Sequence, residues 1–414
     1  MLQLFIDSIE NCILRSMSAS FIFPKDFMWG TATSAYQTEG NNTNTDWYEW
    51  EQSKKPDQEY PKEQCGIACD SYNRYKEDFN LAVKLHNNSI RISIEWARIQ
   101  PTEDTFDQKE IEHYRQVLQE AKSLNLKTFV TLHHFTNPIW FAKKGGWANL
   151  KSPSLFAKYA QKCAQEFGAL IDFYLTINEP DVLAFQGYVK GIWPPNKEDL
   201  FLPILVQINM TRAHVQAYKM IKSVGNYQVG LVKNIMWFEA SPEKNAVVDH
   251  IVSKVLYYVN DDLFLKPIMK YMDIIGLNYY FTTRLHKLVI KNVDDIQNDL
   301  GWWVNPAGLE KVLLKLKRYN KPIYITENGA ADQIDRIRIK FIREMLGAAA
   351  RAMKQGVNVK GYFYWSLIDN FEWHQGYWPK FGLVYIDRNH NLERVPRESF
   401  YYYAEVCASG RIEI

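Results

Sequence analysis

FYLTINEP, residues 173–180, decides the fold. It runs apolar and β-branched through Ile177 and then ends on two polar side chains, Asn178 and Glu179. A short, near-continuous apolar run of this kind is the pattern of a parallel strand buried on both faces. Working outward, similar runs occur at 28–36, 90–96, 128–134, 228–234, 273–280, 322–327 and 361–366. Helical periodicity marks segments between them, among them 72–84, 109–124, 154–167, 204–223 and 336–354. Strand and helix alternating about eight times predict one α/β domain over residues 21–410, a closed (β/α)8 TIM barrel of eight parallel strands. An open doubly wound sheet would carry a glycine-rich phosphate turn after an early strand, and no such turn is present.

In such a barrel, catalytic side chains gather at the carboxyl ends of the strands. The polar residues ending these runs are Gln37, Arg91, Glu95, His134, Asn178 with Glu179, Asn234, Asn278 to Tyr280, Glu327 and, past the eighth run, Asp369 to Glu372. Two are carboxylates closing apolar strands, Glu179 in TINEP and Glu327 in YITENG. A carboxylate there is unfavourable to bury without partners.

The chain has 414 residues, 47% of them hydrophobic, enough for a large core. A net charge of +2 gives no electrostatic case for nucleic acid or for an anionic membrane surface, so neither is expected as a partner. Aromatic residues reach 14%, which serves equally a large aromatic core or platforms for sugar faces; position, not composition, separates the two. Five scattered cysteines argue for a reducing, cytoplasmic setting, and Cys65 and Cys69 lack the second ligand pair of a structural zinc site. Residues 1–20 carry Leu2, Phe5, Ile6, Ile9 and Ile13 at helical spacing, interrupted by Asp7 and Glu10. They are read as an N-terminal extension, either a short amphipathic helix or a stretch upstream of a start at Met17.

TINEP after the fourth run and ITENG in the seventh resemble the two signatures of glycoside hydrolase family 1. FMWGTATSAYQTEG (27–40), RISIEW, GLNYY, WSLIDNFEWHQGY (365–377) and KFGLVYID are similar to family blocks in the family's order. The resemblance implies a retaining β-glucosidase that also takes β-galactosides and β-fucosides, acting on a small β-glycoside or oligosaccharide with no metal or organic cofactor. It places Glu179 as acid/base and Glu327 as nucleophile, with Arg91 and Tyr280 contacting Glu327 to keep it ionised and aim it. It places Asn178 on the sugar 2-hydroxyl, Gln37, His134, Glu372 and Trp373 on the other hydroxyls, Trp365 on the pocket floor and Trp302 beside the leaving group. Hydrolysis of this kind uses two carboxyl groups flanking one bond, which accounts for the pair.

Two departures stand out. Only about twenty residues separate Tyr280 from Trp302, and 236–269 is compact, so the leaving-group side is expected to be open. Phe135 stands where the family has Trp, which removes an indole donor. Glu372, in place of the Ser of relatives acting on 6-phosphorylated sugars, would repel a 6-phosphate. The sequence leaves the preferred glycone, the aglycone and the oligomeric state open.

Overall fold

The computed structural model describes residues 20–54, 59–243, 246–291 and 296–413. The N-terminal extension, Ser20 apart, lies outside them. Eight parallel strands close into a barrel: β1 (Met28–Ala32), β2 (Ser89–Ser93), β3 (Lys127–His133), β4 (Phe173–Asn178), β5 (Gln228–Asn234), β6 (Ile274–Asn278), β7 (Ile323–Asn328) and β8 (Val359–Trp365). Each pairs in parallel with its chain neighbours, and β8 returns to β1 through Gly361 to Trp365 on Met28 to Ala32. The outer layer comprises α1 (Ser71–Lys84), α2 (Gln108–Ser123), α3 (Ser152–Phe167), α4 (Leu202–Val224), α5 (Val247–Tyr257), α6 (Pro306–Leu316), α7 (Arg338–Lys354) and α8 (Glu398–Ser409).

Local chemistry starts these helices. Asp107 caps α2 by accepting from the N–H groups of Lys109 and Glu110. Asn305 caps α6, and Pro306 fills its first position, where no N–H is needed. Apolar packing then makes two cores. The main one lies between strands and helices, and a smaller one plugs the barrel interior. In the plug Phe129 stacks on Phe173 at 4.0 Å and meets Phe363 at 4.6 Å.

The amino ends of the strands are stapled by side chains. Asn88 accepts from Trp29 N–H at 2.9 Å, Asp172 from Thr128 N–H at 2.8 Å and Asp273 from Val229 N–H at 2.9 Å. This end is built for stability, which leaves the carboxyl end free for chemistry.

Three strands end earlier than their apolar runs predict. β1 stops at Ala32, and Gln37 sits on the short helix Ala35–Glu39 rather than on the strand. β2 stops at Ser93 and turns into Trp96–Ile99, while β6 stops at Asn278, two residues before Tyr280. The apolar residues among the excess are buried without strand pairing: Trp96 stacks on Tyr159 at 5.1 Å. Burial, not pairing, sets their composition.

Gly329, just past β7, is where the backbone of β8 comes close. A Cβ there would stand 1.7 Å from the Trp365 carbonyl oxygen. Gly329→Ala is therefore expected to lower stability by about 3 kcal/mol, read as an earlier urea midpoint with unchanged slope. A midpoint equal to wild type would mean that β7 and β8 can separate freely.

Candidate active site

The two carboxylates reach the site from strands that end irregularly. The pairing of β4 with β5 shifts register between Leu175 and Asn178, and that of β7 with β6 shifts between Ile325 and Glu327. Such irregularities re-aim the side chains that follow them. Glu179 adopts a left-handed backbone (φ 44°) and hands directly to the helix Pro180–Tyr188. A non-glycine residue held there is strained and persists only when its surroundings fix it.

A continuous run of hydrogen bonds joins the two groups. Glu327 is paired with the Arg91 guanidinium through Oε1 and accepts the Tyr280 hydroxyl on Oε2. Arg91, fully buried, also donates to Thr131 Oγ1, to the Thr326 carbonyl at 3.2 Å and to Asn178 Oδ1 at 2.7 Å. Asn278 Nδ2 donates to Asn178 Oδ1 at 3.2 Å and to Glu179 Oε1 at 2.7 Å, while Asn278 Oδ1 accepts from Thr326 at 2.8 Å. Asn234 at the end of β5 adds a further donor to Glu179 Oε1, at 3.2 Å.

Electrostatics separates their roles. Burial, and next the negative charge of Glu327, push the Glu179 carboxyl well above the usual carboxylate range, so it holds a proton. Behind it stands a fully buried Lys233, 2.9 Å from Asp181 and 3.5 Å from Asp261. Burial raises Asp261 to about 7.

The remaining expected residues converge on the same end. His134 lies parallel to both Trp365 and Trp373, 6.0 Å from each. It is driven neutral, first by burial and then by Arg91. Its Nε2 meets Asn178 Nδ2 at 3.4 Å, and among the described residues its Nδ1 has no hydrogen-bond partner. A buried unpaired ring nitrogen is a place for a ligand hydroxyl. Gln37 Nε2 is held by the Phe371 carbonyl at 2.8 Å and by Asn370 at 3.1 Å, and lies 3.5 Å from Glu372. Burial, with Glu327 second, lifts Glu372 to about 8. Trp302 is half-buried, packed against the barrel-interior cluster with its ring 5.7 Å from that of Tyr280.

Phe135 packs on Trp193 and Trp373 at 4.9 and 5.1 Å. Glu39 and Glu95 serve structure: Glu39 pairs with Arg98, and Glu95 caps Trp96–Ile99 and accepts from Thr136. Thr131 and Thr326 are not among the residues expected from the sequence, although each is a polar side chain buried within an apolar run.

The segments after β5 and β6 are compact but not bare. Trp237–Ala240, Thr282–His286 and Val289–Ile290 form a small three-stranded sheet beside the barrel.

Residues 19–273 and 265–411 match the family model described as glycosyl hydrolase family 1. Beta-glucosidase A of Thermotoga maritima is 33% identical, the match covering 94% of this chain and 99% of that protein. Among solved structures, a beta-glycosidase from Pyrococcus horikoshii superposes with a TM-score of 0.88 at 34% identity, covering 96% of this chain and 97% of that one. The Thermotoga maritima beta-glucosidase in complex with deoxynojirimycin gives 0.87 at 30% identity, covering 94% and 99%. With the fold, the order of the motifs and these matches in agreement along nearly the full length, the chain belongs to glycosyl hydrolase family 1.

Proposed function

We propose that this glycoside hydrolase cleaves terminal β-D-glycosidic bonds with retention of configuration, acting as a β-glucosidase that also takes β-galactosides and β-fucosides. The observation that carries the reading is the pair of buried carboxyl groups, one proton-bearing and one ion-paired, joined through Arg91, Asn178 and Asn278.

Glu179 donates its proton to the leaving oxygen while Glu327 attacks the anomeric carbon, forming a glycosyl ester. Esterification removes the charge of Glu327, the second cause of the raised Glu179 pKa. The proton affinity of Glu179 therefore falls, and it can deprotonate the incoming water. Arg91 and Tyr280 hold the nucleophile in place. Asn178, His134, Gln37, Glu372 and Trp373 read the sugar hydroxyls over Trp365, and Trp302 flanks the leaving group. A 6-phosphate would face the Glu372 carboxyl, which even when burial keeps it protonated offers no positive charge to pair with the phosphate, so unphosphorylated sugars are the substrates. The free, buried thiols of Cys65, Cys69, Cys163 and Cys407 fit a reducing cytoplasm.

Proton NMR during hydrolysis of an aryl β-glucoside tests the stereochemistry. The β-anomer is expected first, with the α-anomer growing only by mutarotation. Initial α-glucose would remove Glu327 from its role as nucleophile.

A second test uses Asp181, whose charge helps raise Glu179. Glu179 must be protonated for the first step, so kcat/KM falls as pH rises through its pKa. Glu327, Arg91, Lys233 and Asp261 stay in place in Asp181→Asn, and removing this one negative charge lowers the proton affinity of Glu179. The basic limb of kcat/KM on an alkyl β-glucoside is therefore expected to move to lower pH. A limb that stays put, or moves up, would mean that another group sets it.

A further inference from the structure

Helix α5 turns its polar side inward. Asp249, Ser253 and Tyr257 are buried, and Asp261 and Asp262 follow them in the π-helical turn Tyr258–Asp262. Its outward face is apolar, which reverses the usual arrangement of a helix on a core. Asp249 fixes this orientation by accepting from the backbone N–H groups of Lys287 and Leu288, at 2.9 and 2.8 Å. Those residues open the tip of a β-hairpin, Lys-Leu-Val-Ile-Lys at 287–291. Val248, Ile251 and Val255 on the helix and Leu288, Val289 and Ile290 on the tip are all 52–66% exposed. Both elements follow barrel strands, β5 and β6, so this apolar rim begins on the side of the barrel that carries Glu179 and Glu327.

Among the described residues of the helix and the hairpin themselves, the exposed charged side chains are all lysines. Lys254 on the helix and Lys287 and Lys291 on the hairpin stand exposed, whereas Asp249, Asp261 and Asp262 are buried. The exposed carboxylate of the preceding loop, Glu243, lies 3.4 Å from His286. A second copy seated on this face would set lysines against lysines. An anionic bilayer complements both features: apolar side chains enter below the headgroups, and lysine stems let the ammonium groups reach the phosphates.

We propose that this rim is a docking surface for an anionic lipid bilayer. Contact is interfacial, since no helix of the described residues is long and apolar enough to cross a membrane. The net charge of +2 does not show it, because a whole-chain sum averages a local basic border away. The proposal does not depend on the hydrolytic reading.

Sedimentation of the full chain with vesicles tests it. Binding to vesicles of mixed phosphatidylglycerol and phosphatidylcholine is expected to be at least about tenfold tighter than to phosphatidylcholine alone, at roughly fivefold per engaged lysine, and to weaken with salt. The double substitution Val289→Asp with Ile290→Asp should abolish sedimentation and leave turnover of a soluble aryl glycoside unchanged. Lys254→Glu with Lys291→Glu should remove only the preference for anionic vesicles. Val248→Ser with Ile251→Ser gives the same reading from the helix, should the hairpin variant misfold. The proposal is overturned if the wild type stays in solution with both vesicle types, or if the apolar-face variants sediment like it. Light scattering that reveals a lipid-free dimer broken by the hairpin substitutions would also overturn it, assigning the face to a second copy.

Discussion

Glu327→Gln is expected to lower kcat roughly a hundred-thousandfold on every β-glycoside, as removal of a nucleophile does in other covalent mechanisms. An amide of the same shape cannot form the glycosyl ester. The substitution also leaves the fully buried Arg91 without its counter-charge, and a half-broken buried pair destabilises by about 3–5 kcal/mol. The far-ultraviolet circular dichroism spectrum should therefore match wild type while the unfolding midpoint drops. Residual activity above about one-hundredth of wild type, after controls for contaminating enzyme, would exceed what proximity and general acid catalysis alone supply and would exclude Glu327 as the nucleophile.

Glu179→Gln is expected to respond to the leaving group. An alkyl β-glucoside needs its departing oxygen protonated, and loss of the acid should slow it about 10³–10⁴-fold. A dinitrophenyl β-glucoside needs no such help, so its first step should be nearly unaffected, with turnover limited by release of the glycosyl enzyme. Azide attacks without a general base, so it should accelerate Glu179→Ala and yield the β-glycosyl azide. Equal losses on both substrates, or no azide product, would contradict the assignment of Glu179 as acid/base.

The two predictions rest on residues visible in the sequence, because a carboxylate ending an apolar run is a local signal. Glu179 and Glu327 were legible in that way, and so was the strand on which each stands. What surrounds them was less so. Thr131 and Thr326 are chemically ordinary strand residues, and only contact with Arg91 and Asn278 gives them a part in the site. Lys233 and Asp181 belong to different strand–helix units, and their ion pair exists only because β4 and β5 are neighbours. Gln37 was expected at a strand end and lies on a short helix, although its side chain still reaches Glu372.

The barrel itself is specified locally. Strand burial on two faces and helix burial on one are written as local apolar periodicities, and eight repeats of them admit few closed arrangements. The local sequence also sets the chemistry available, since the motif residues are adjacent in the chain. How that chemistry is aimed comes from contacts between distant segments. Arg91 meets Glu327 across 236 residues, and Asn278 meets Glu179 across 99. The register irregularities before both carboxylates, and the inward polar face of α5, are likewise products of closure and packing. The reason is physical. Periodicity reports what each segment buries, whereas side-chain direction at a strand end depends on neighbouring strands that the local sequence does not contain.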